Sequence, residues 1–210
     1  MGRLLGTSGR VLPMALTPID ITAEVRGVDA AEPDALTTVR GQVEVATADG
    51  VITSIALEPS DPKPCPEALD AVQAADWVVL GPGSWFTSVI PHLMVPELRE
   101  AIVGSDARVV VTLNLGEQEG ETPGFDAADH LTVLSEHAPD LRVHTVLADT
   151  NSVRDGLTGL RELAGMLGAE LVVADVARSD GTPRHDPVKL AAAYSRIMGA
   201  ADRDGEGSSR

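Results

Sequence analysis

The sequence predicts an α/β fold: a mainly parallel sheet covered by helices on both faces, with an antiparallel β insertion at the N-terminal side. Two patterns support this prediction. Over residues 66–200, Val-rich segments alternate with helical segments, as in parallel strands joined by crossover helices. Over residues 9–60, apolar and polar residues alternate with a period of two, which is typical of strands with one buried face.

The N-terminal insertion is expected to contain three strand-like segments. They are ITAEVRG (21–27), TVRGQVEVATADG (38–50) and VITSIALEP (51–59). Asp49-Gly50 lies between the last two segments, and this dipeptide favours a tight hairpin turn. A proline-rich linker from Pro59 to Pro66 then leads into the α/β core.

The core is expected to alternate helices with buried strands. The predicted strands are WVVL (77–80), ARVVVTLN (107–114), RVHTVLAD (142–149) and ELVVADVA (170–177), and the predicted helices are EALDAVQAAD (67–76), SWFTSVIPHL (84–93), AADHLTVLSEHA (127–138), SVRDGLTGLRELAGML (152–167) and DPVKLAAAYSRIM (186–198). We therefore expect residues 1–200 to form a single domain with a Rossmann-like sheet. The polar, glycine-rich residues 201–210 are expected to form a disordered tail.

Composition excludes several classes of protein. The formal net charge of −16 repels nucleic acid and anionic lipid, so neither is an expected partner. No apolar run approaches the ~20 residues of a membrane span, and the N-terminus lacks a signal-type apolar segment, so we expect a cytoplasmic protein. Cys65 is the single cysteine, which excludes a disulfide within the chain and a Cys-based metal cluster.

The most informative segment is VVLGPGSWFTSVIPHL, which starts at Val78. An apolar strand leads into Gly81-Pro82-Gly83-Ser84 and then into a helix. Glycines allow a tight turn, Ser84 is a candidate helix cap, and free N–H groups at the start of a helix attract phosphate. The same junction also occurs as a purely structural connection in α/β proteins, so the pattern alone leaves both roles open.

Polar residues follow three predicted strands. Thr87 and Ser88 place hydroxyl groups on the first turns after the glycine turn, where they can bond a phosphate or ribose oxygen. Asn114 ends the next strand, and its amide can pair with a base edge or a ribose hydroxyl. These residues and the loop 149–152 follow the carboxyl ends of strands, the edge at which open α/β sheets bind ligands.

Two further segments carry charge. Glu117, Glu119 and Glu121 make an acidic loop that is expected to be solvated, with binding of a divalent cation as the alternative. In the RHD segment, Asp186 before Pro187 is a good helix cap, whereas the fork of Arg184 suits a diphosphate. His130 is expected to pack inside a helix rather than to act as a base.

Three ordered motifs resemble the YvcK-type gluconeogenesis factors, a branch of the CofD-like superfamily. They are GPGSWFTSVIPHLMVPEL, VVVTLNLGEQEGETPGFDAADHLTVLSEH and RHD, similar to the family's GPGSLYTSIxPNLLV, N-x-M-T-Q-x-G-E-T with a downstream D-H, and R-H-D. The resemblance runs from Gly9 to about Met198 and covers the later part of the family's usual length. The family's GGGTG loop, DDGGSSGR stretch and PGDxRN turn do not occur here.

The resemblance implies a UDP-sugar ligand and a set of binding residues. That set is Gly81, Pro82, Gly83, Ser84, Thr87, Ser88, His92, Asn114, Gln118 and Arg184. His92 replaces the asparagine usual in the family, and Gly116-Glu117 replaces its Met-Thr, whereas Gln118, Gly120, Glu121 and Thr122 match. Pro187 stands where the family often has a phosphorylated threonine, so that switch is absent.

The expected function is that of a regulatory protein that binds UDP-N-acetylglucosamine or UDP-glucose and acts on cell shape, cell envelope and central carbon metabolism. No catalytic residue, no cofactor and no resident metal are expected, although a divalent cation could accompany the diphosphate. Protein partners are not identified by the sequence, and self-association is a further expectation. The alternatives are a CofD-like phospholactyl transferase, or a fragment that binds ligand weakly because one wall of the family's pocket is missing.

Overall fold

The computed structural model describes residues 9–118, 120–154 and 156–207. Its strands are β1 (Asp20–Arg26), β2 (Leu36–Arg40), β3 (Val51–Glu58), β4 (Trp77–Leu80), β5 (Arg108–Thr112), β6 (Thr145–Asp149) and β7 (Glu170–Ala174). Its α-helices are α1 (Gln42–Ala46), α2 (Pro66–Gln73), α3 (Ile90–Met94), α4 (Pro96–Gly104), α5 (Ala127–His137), α6 (Leu157–Met166) and α7 (Pro187–Gly207). A π-helical turn, Trp85–Val89, precedes α3.

Strands β4 to β7 form a parallel sheet in the order β4-β5-β6-β7, which confirms the predicted α/β core. Its strands alternate their side chains between two faces. Val109, Val111 and Val146 join the cluster that also contains residues of α4, α5 and α6. Val110 and Leu147 face the other side, where they pack with residues of α7. Helices therefore cover both faces.

The N-terminal strands form a separate antiparallel sheet in the order β2-β1-β3. The predicted insertion is confirmed, but the hairpin at Asp49-Gly50 is wrong. The chain forms α1 after β2, and β3 then pairs with β1 and not with β2. The alternation in residues 42–46 suggested a strand, but Val45 is buried whereas Val43 is 69% exposed, so a single short helix satisfies the same apolar pattern.

A single hydrophobic cluster joins the two sheets. It includes Ile21, Val25 and Leu57 of the antiparallel sheet together with Trp85 and Phe86 of the π-helical turn. The linker is tied down as well, because the Cys65 amide donates to the carbonyl of Met14. The antiparallel sheet therefore packs directly beneath the segment that follows the glycine turn.

The C-terminal end differs from the expected tail. Helix α7 extends to Gly207, so residues 201–207 continue a helix that the sequence analysis ended near Met198. Residues 1–8 and 208–210 lie outside the described part of the chain, as does Glu119 of the acidic loop. Within the described residues, no helix is both long enough and apolar enough to cross a membrane.

Candidate functional site

The glycine turn lies at the carboxyl end of β4, the first strand of the parallel sheet. Gly81 has φ +76°, and a Cβ atom there would lie 2.6 Å from the carbonyl oxygen of Thr112. Gly83 does not have a positive φ, and a Cβ atom on it would lie 3.7 Å from the Cβ of Ser88, which is an ordinary contact distance. The steric need predicted for both glycines is therefore confirmed at Gly81 and wrong at Gly83.

Asn114 and Gln118 hold the backbone of this turn. The Oδ1 atom of Asn114 accepts from the Gly83 amide at 3.3 Å, and its Nδ2 atom donates to the Gly83 carbonyl at 3.0 Å. The Oε1 atom of Gln118 accepts from the Trp85 amide at 3.2 Å and from Asn114 Nδ2 at 2.8 Å. Of the two side chains that the sequence singled out after β5, Asn114 therefore bonds the turn itself and Gln118 bonds the residue that follows it.

Glu121 completes this arrangement from inside the protein. Its side chain is 2% exposed, its Oε2 accepts from the Phe86 amide at 3.0 Å, and its Oε1 accepts from the Thr87 hydroxyl. The expectation of a solvated acidic loop is therefore wrong at Glu121. The loop folds inward because its carboxylate is the acceptor for donors at the start of the π-helical turn.

These bonds change which groups are free to meet a ligand. Ser84 stands at the cap position but makes no side-chain cap bond, so the predicted capping role is wrong. The amides of Gly83, Trp85 and Phe86 are occupied by side chains, and the Thr87 hydroxyl is buried on Glu121. Within the described residues, the amide and hydroxyl of Ser84 form no hydrogen bond.

Helix α1 buttresses the loop from the other sheet. The Nε2 atom of Gln42 donates to the Thr87 carbonyl at 3.1 Å. Gly120 has φ +82°, and a Cβ atom on it would lie 2.3 Å from the carbonyl oxygen of Ala46. The short helix that replaced the expected hairpin thus fixes both the acidic loop and the π-helical turn.

Aromatic side chains fill the space behind the turn. Trp85 is fully buried, and the His130 ring packs edge-on against it with centroids 5.0 Å apart and against Phe125 at 5.5 Å. Burial lowers the pKa of His130, and its Nδ1 pairs with the carbonyl of Asp126 at 2.6 Å. His130 is a packed residue, as expected, and Trp85 belongs to the core rather than to a pocket wall.

Ser88 and His92 lie on the open side of the π-helical turn and α3. Their side chains are exposed, and His92 Nδ1 bonds the Ser88 carbonyl at 2.8 Å. Both residues line a cavity of about 250 Å³ beside β4, together with Gly81 and apolar side chains of residues 12–14, α2 and β4. A second cavity of about 240 Å³ shares Met14, Ser88 and His92 with the first, so the two are adjacent, and together they are called the groove below.

Asp149 organises the next two strand ends. Burial alone would raise its pKa, but N–H groups of Val176, Asn151, Ser152 and Ala177 donate to its carboxylate and lower the pKa below the usual value. Its side chain is 1% exposed, so this carboxylate connects the loops after β6 and β7 rather than facing ligand.

The RHD segment follows β7. Arg184 is exposed, bonds its neighbours only through backbone groups and forms no ion pair within the described residues. The ring of His185 lies inward, and burial lowers its pKa. Asp186 caps α7 by accepting from the amides of Val188 and Lys189 at 2.9 and 3.1 Å, as predicted.

The structure thus sorts the predicted site residues into three groups. Gly83, Thr87, Asn114 and Gln118 meet at or just after the turn, and Ser88 and His92 line the groove with Gly81. Arg184 lies in the segment after β7, where the ring of its neighbour His185 bonds the Leu113 carbonyl at the end of β5. Pro82 is exposed in the turn and follows a cis peptide bond. Among the described residues, no group of three or more His, Cys, Asp or Glu side chains could hold a metal ion.

A parallel sheet with a braced glycine turn at the carboxyl end of its first strand defines the class of this protein as Rossmann-like α/β. Residues 1–183 match the family described as 2-phospho-L-lactate transferase CofD. The chain is 47% identical over 208 residues to a gluconeogenesis factor of Mycobacterium tuberculosis, covering 96% of this chain and 60% of that protein. It is 32% identical over 208 residues to the gluconeogenesis factor of Listeria innocua, covering 94% of this chain and 62% of the relative.

The fold agrees with a solved relative. The crystal structure of a UPF0052 family protein from Bacillus halodurans matches with a TM-score of 0.74 at 30% identity, covering 91% of this chain and 63% of that one. The chain therefore belongs to the CofD-like family of gluconeogenesis factors. It spans about three fifths of the length of the relatives that it matches.

Proposed function

We propose that this chain is a regulatory protein that binds a UDP-sugar, UDP-N-acetylglucosamine or UDP-glucose, at the carboxyl edge of its parallel sheet. The observation that carries this proposal is the turn Gly81–Ser84 with the π-helical turn after it, a segment held by Asn114, Gln118 and Glu121 beside a groove of about 250 Å³. Pre-organised backbone next to a concave surface is what a nucleotide ligand requires.

The polar groups available on this surface suit a phosphorylated sugar. The Ser84 amide and hydroxyl have no protein partner in the described residues, and the exposed residues Ser88 and His92 line the groove. A hydroxyl, an amide and an imidazole can bond phosphate or sugar oxygens without a formal positive charge. The groove wall formed by residues 12–14 and β4 is apolar and can pack against a flat ring.

Arg184 supplies the cation in this proposal. The chain carries a formal net charge of −16, so a diphosphate needs a local positive charge to approach. Arg184 is exposed and forms no ion pair within the described residues, which leaves its guanidinium available. The proposal includes a regulatory role in cell shape, cell envelope and central carbon metabolism, exerted in the cytoplasm through protein partners. The name gluconeogenesis factor, which the relatives carry, supports the part in carbon metabolism.

Calorimetric titration with UDP-N-acetylglucosamine and UDP-glucose, each with and without Mg²⁺, tests the proposal. Arg184→Ala should weaken binding by roughly tenfold to a hundredfold, because a charge-assisted bond contributes about 1.5–3 kcal/mol. Arg196→Ala removes the same charge from an exposed position on α7 and should bind as the unmodified chain does. Equal affinity of both variants would remove Arg184 from the site.

Titration with GDP and NAD separates the alternatives. The family match to 2-phospho-L-lactate transferase CofD favours phospholactyl transfer as the second candidate function. Binding of GDP in preference to the UDP-sugars would support that candidate, whereas NAD binding would indicate a general dinucleotide fold. No binding of any UDP-sugar would contradict the proposed function.

A further inference from the structure

Glu121 is a buried carboxylate that is not among the proposed ligand contacts. Its side chain is 2% exposed, and it forms no ion pair with Lys or Arg within the described residues. Each of its two oxygens accepts one donor from the segment after the glycine turn, Oε2 from the Phe86 amide and Oε1 from the Thr87 hydroxyl. A buried charge is costly unless its hydrogen bonds are strong, so this arrangement needs a reason.

We propose that Glu121 is a positioning residue that sets ligand affinity by fixing, from inside the protein, the π-helical turn that follows the glycine turn. Three residues separate Ser84, whose amide and hydroxyl have no partner in the described residues, from Ser88, which is exposed on the groove. Glu121 holds the second and third of them, Phe86 and Thr87. Fixing these residues therefore orients the groups on either side of them. This inference rests on the proposed function, because it concerns the same site.

Hydrogen bonds and close contacts of the loop that carries Glu121 hold this residue in place. The amides of Glu121 and Thr122 both donate to the Gln118 carbonyl, at 3.1 and 2.9 Å, and the Thr122 hydroxyl accepts from the Gln118 amide at 3.0 Å. Gly120 presses against the end of α1, where the structure leaves no room for a Cβ atom. The loop is thus compact and fixed on both sides, so the carboxylate has little freedom to leave its partners.

Two substitutions separate geometry from charge. In Glu121→Gln, the side-chain oxygen can still accept from the Phe86 amide, and the new NH₂ group can donate to the Thr87 oxygen, because a hydroxyl is both donor and acceptor. In Glu121→Met, the volume is nearly kept but the Phe86 amide is left buried without an acceptor. A positioning role therefore predicts that glutamine preserves the site and methionine does not.

We expect Glu121→Met to weaken binding of UDP-N-acetylglucosamine by about tenfold or more, and Glu121→Gln by less than about threefold. Leu134→Ala, a fully buried position on α5, is the control for loss of stability alone and should keep the affinity once the protein is folded. Unchanged affinity in Glu121→Met, or equal loss in both Glu121 variants, would overturn the proposal. If Glu121→Met fails to fold, Thr87→Val removes one of the two bonds and should weaken binding by a smaller factor.

A measurement without ligand keeps this inference distinct from the proposed function. Hydrogen exchange of the Phe86 amide should accelerate in Glu121→Met and stay slow in Glu121→Gln, while amides of β5 exchange alike in all variants. If the unmodified chain binds no UDP-sugar, the proposed function fails, and this exchange pattern still decides whether Glu121 holds the turn. Identical Phe86 exchange in all three proteins would show that it does not.

Discussion

Gly81 and Gly83 lie two residues apart in one turn, but only Gly81 depends on lacking a side chain. The positive φ of Gly81 is unfavourable for other residues, and its Cα faces the Thr112 carbonyl of the neighbouring strand. Gly83 is held through its backbone by Asn114, which would contact any residue there in the same way. Substitutions at Gly81 therefore test the stability of the turn, and substitutions at Gly83 test its access to ligand.

Gly81→Ala should lower the free energy of unfolding by about 1–3 kcal/mol, because alanine at positive φ is strained and its Cβ meets a carbonyl oxygen. Gly83→Ala should change that free energy by less than about 0.5 kcal/mol, since a Cβ atom there would make only an ordinary contact, 3.7 Å from the Ser88 Cβ. Urea denaturation of both variants measures the difference. The larger Gly83→Val should retain stability yet hinder a ligand at the turn, and similar losses in Gly81→Ala and Gly83→Ala would contradict this account.

The sequence predicts where the candidate site lies, but not the hydrogen bonds that hold its residues in place. Gly81 and Asn114 could be found because glycine patterns and strand ends are local features. The role of Glu121 could not, because its partner Phe86 lies 35 residues earlier and is reached only through the fold. The match of Gln118, Gly120, Glu121 and Thr122 to the family motif was the one available signal, and it does not show which carboxylate is buried.

At the scale of elements, the loops after β6 and β7 converge on the carboxylate of Asp149. Its Oδ2 accepts from the amides of Asn151 and Ser152, and its Oδ1 from those of Val176 and Ala177. Ser152 in turn donates to the Leu115 carbonyl at 2.6 Å, which connects these loops to the one after β5. The Asp149 carboxylate thus joins the loops after β6 and β7, and the Ser152 hydroxyl joins them to the loop after β5.

Asp149→Ala should destabilise the protein by at least about 2 kcal/mol, because it leaves buried amides without acceptors. Asp149→Asn should be nearly as damaging, since its NH₂ group would face a pair of N–H donors, in contrast to Glu121→Gln. The lowered pKa of Asp149 means that its contribution is present above the unfolded pKa and lost as pH falls through the folded pKa. Urea denaturation at neutral pH compares the variants, and a stable Asp149→Asn protein would refute this assignment.

The apolar pattern of α1 explains why the sequence predicts part of a strand there. Five residues with two valines two positions apart fit both the helical and the strand period. The helix is recognised only in the folded chain, where Gln42 bonds the Thr87 carbonyl and Ala46 lies against Gly120. The Val-rich core strands are less ambiguous, because both faces of a parallel sheet are buried and consecutive central positions are therefore apolar.

At the scale of the whole molecule, three histidines are partly or fully enclosed by different parts of the fold. His130 packs behind the turn, His144 bridges β5 and β6 by accepting from the Val109 amide at 2.9 Å, and His185 lies at the carboxyl edge. Burial is the largest cause that lowers the pKa of each one. The folded protein therefore prefers all three rings neutral.

This preference predicts that the free energy of unfolding decreases as the pH falls from about 7.5 to about 5.5. The unfolded chain takes up protons near the ordinary histidine pKa of 6.5, whereas the folded chain resists them to lower pH, so acid favours unfolding. Carboxylates titrate mostly below this window, and about 0.15 M salt screens the repulsion that the net charge of −16 would otherwise contribute. His144→Gln keeps an acceptor for the Val109 amide and should flatten part of the pH dependence measured by urea denaturation. A stability that rises toward pH 5.5, or a slope that His144→Gln leaves unchanged, would show that protonation of these rings does not oppose the fold.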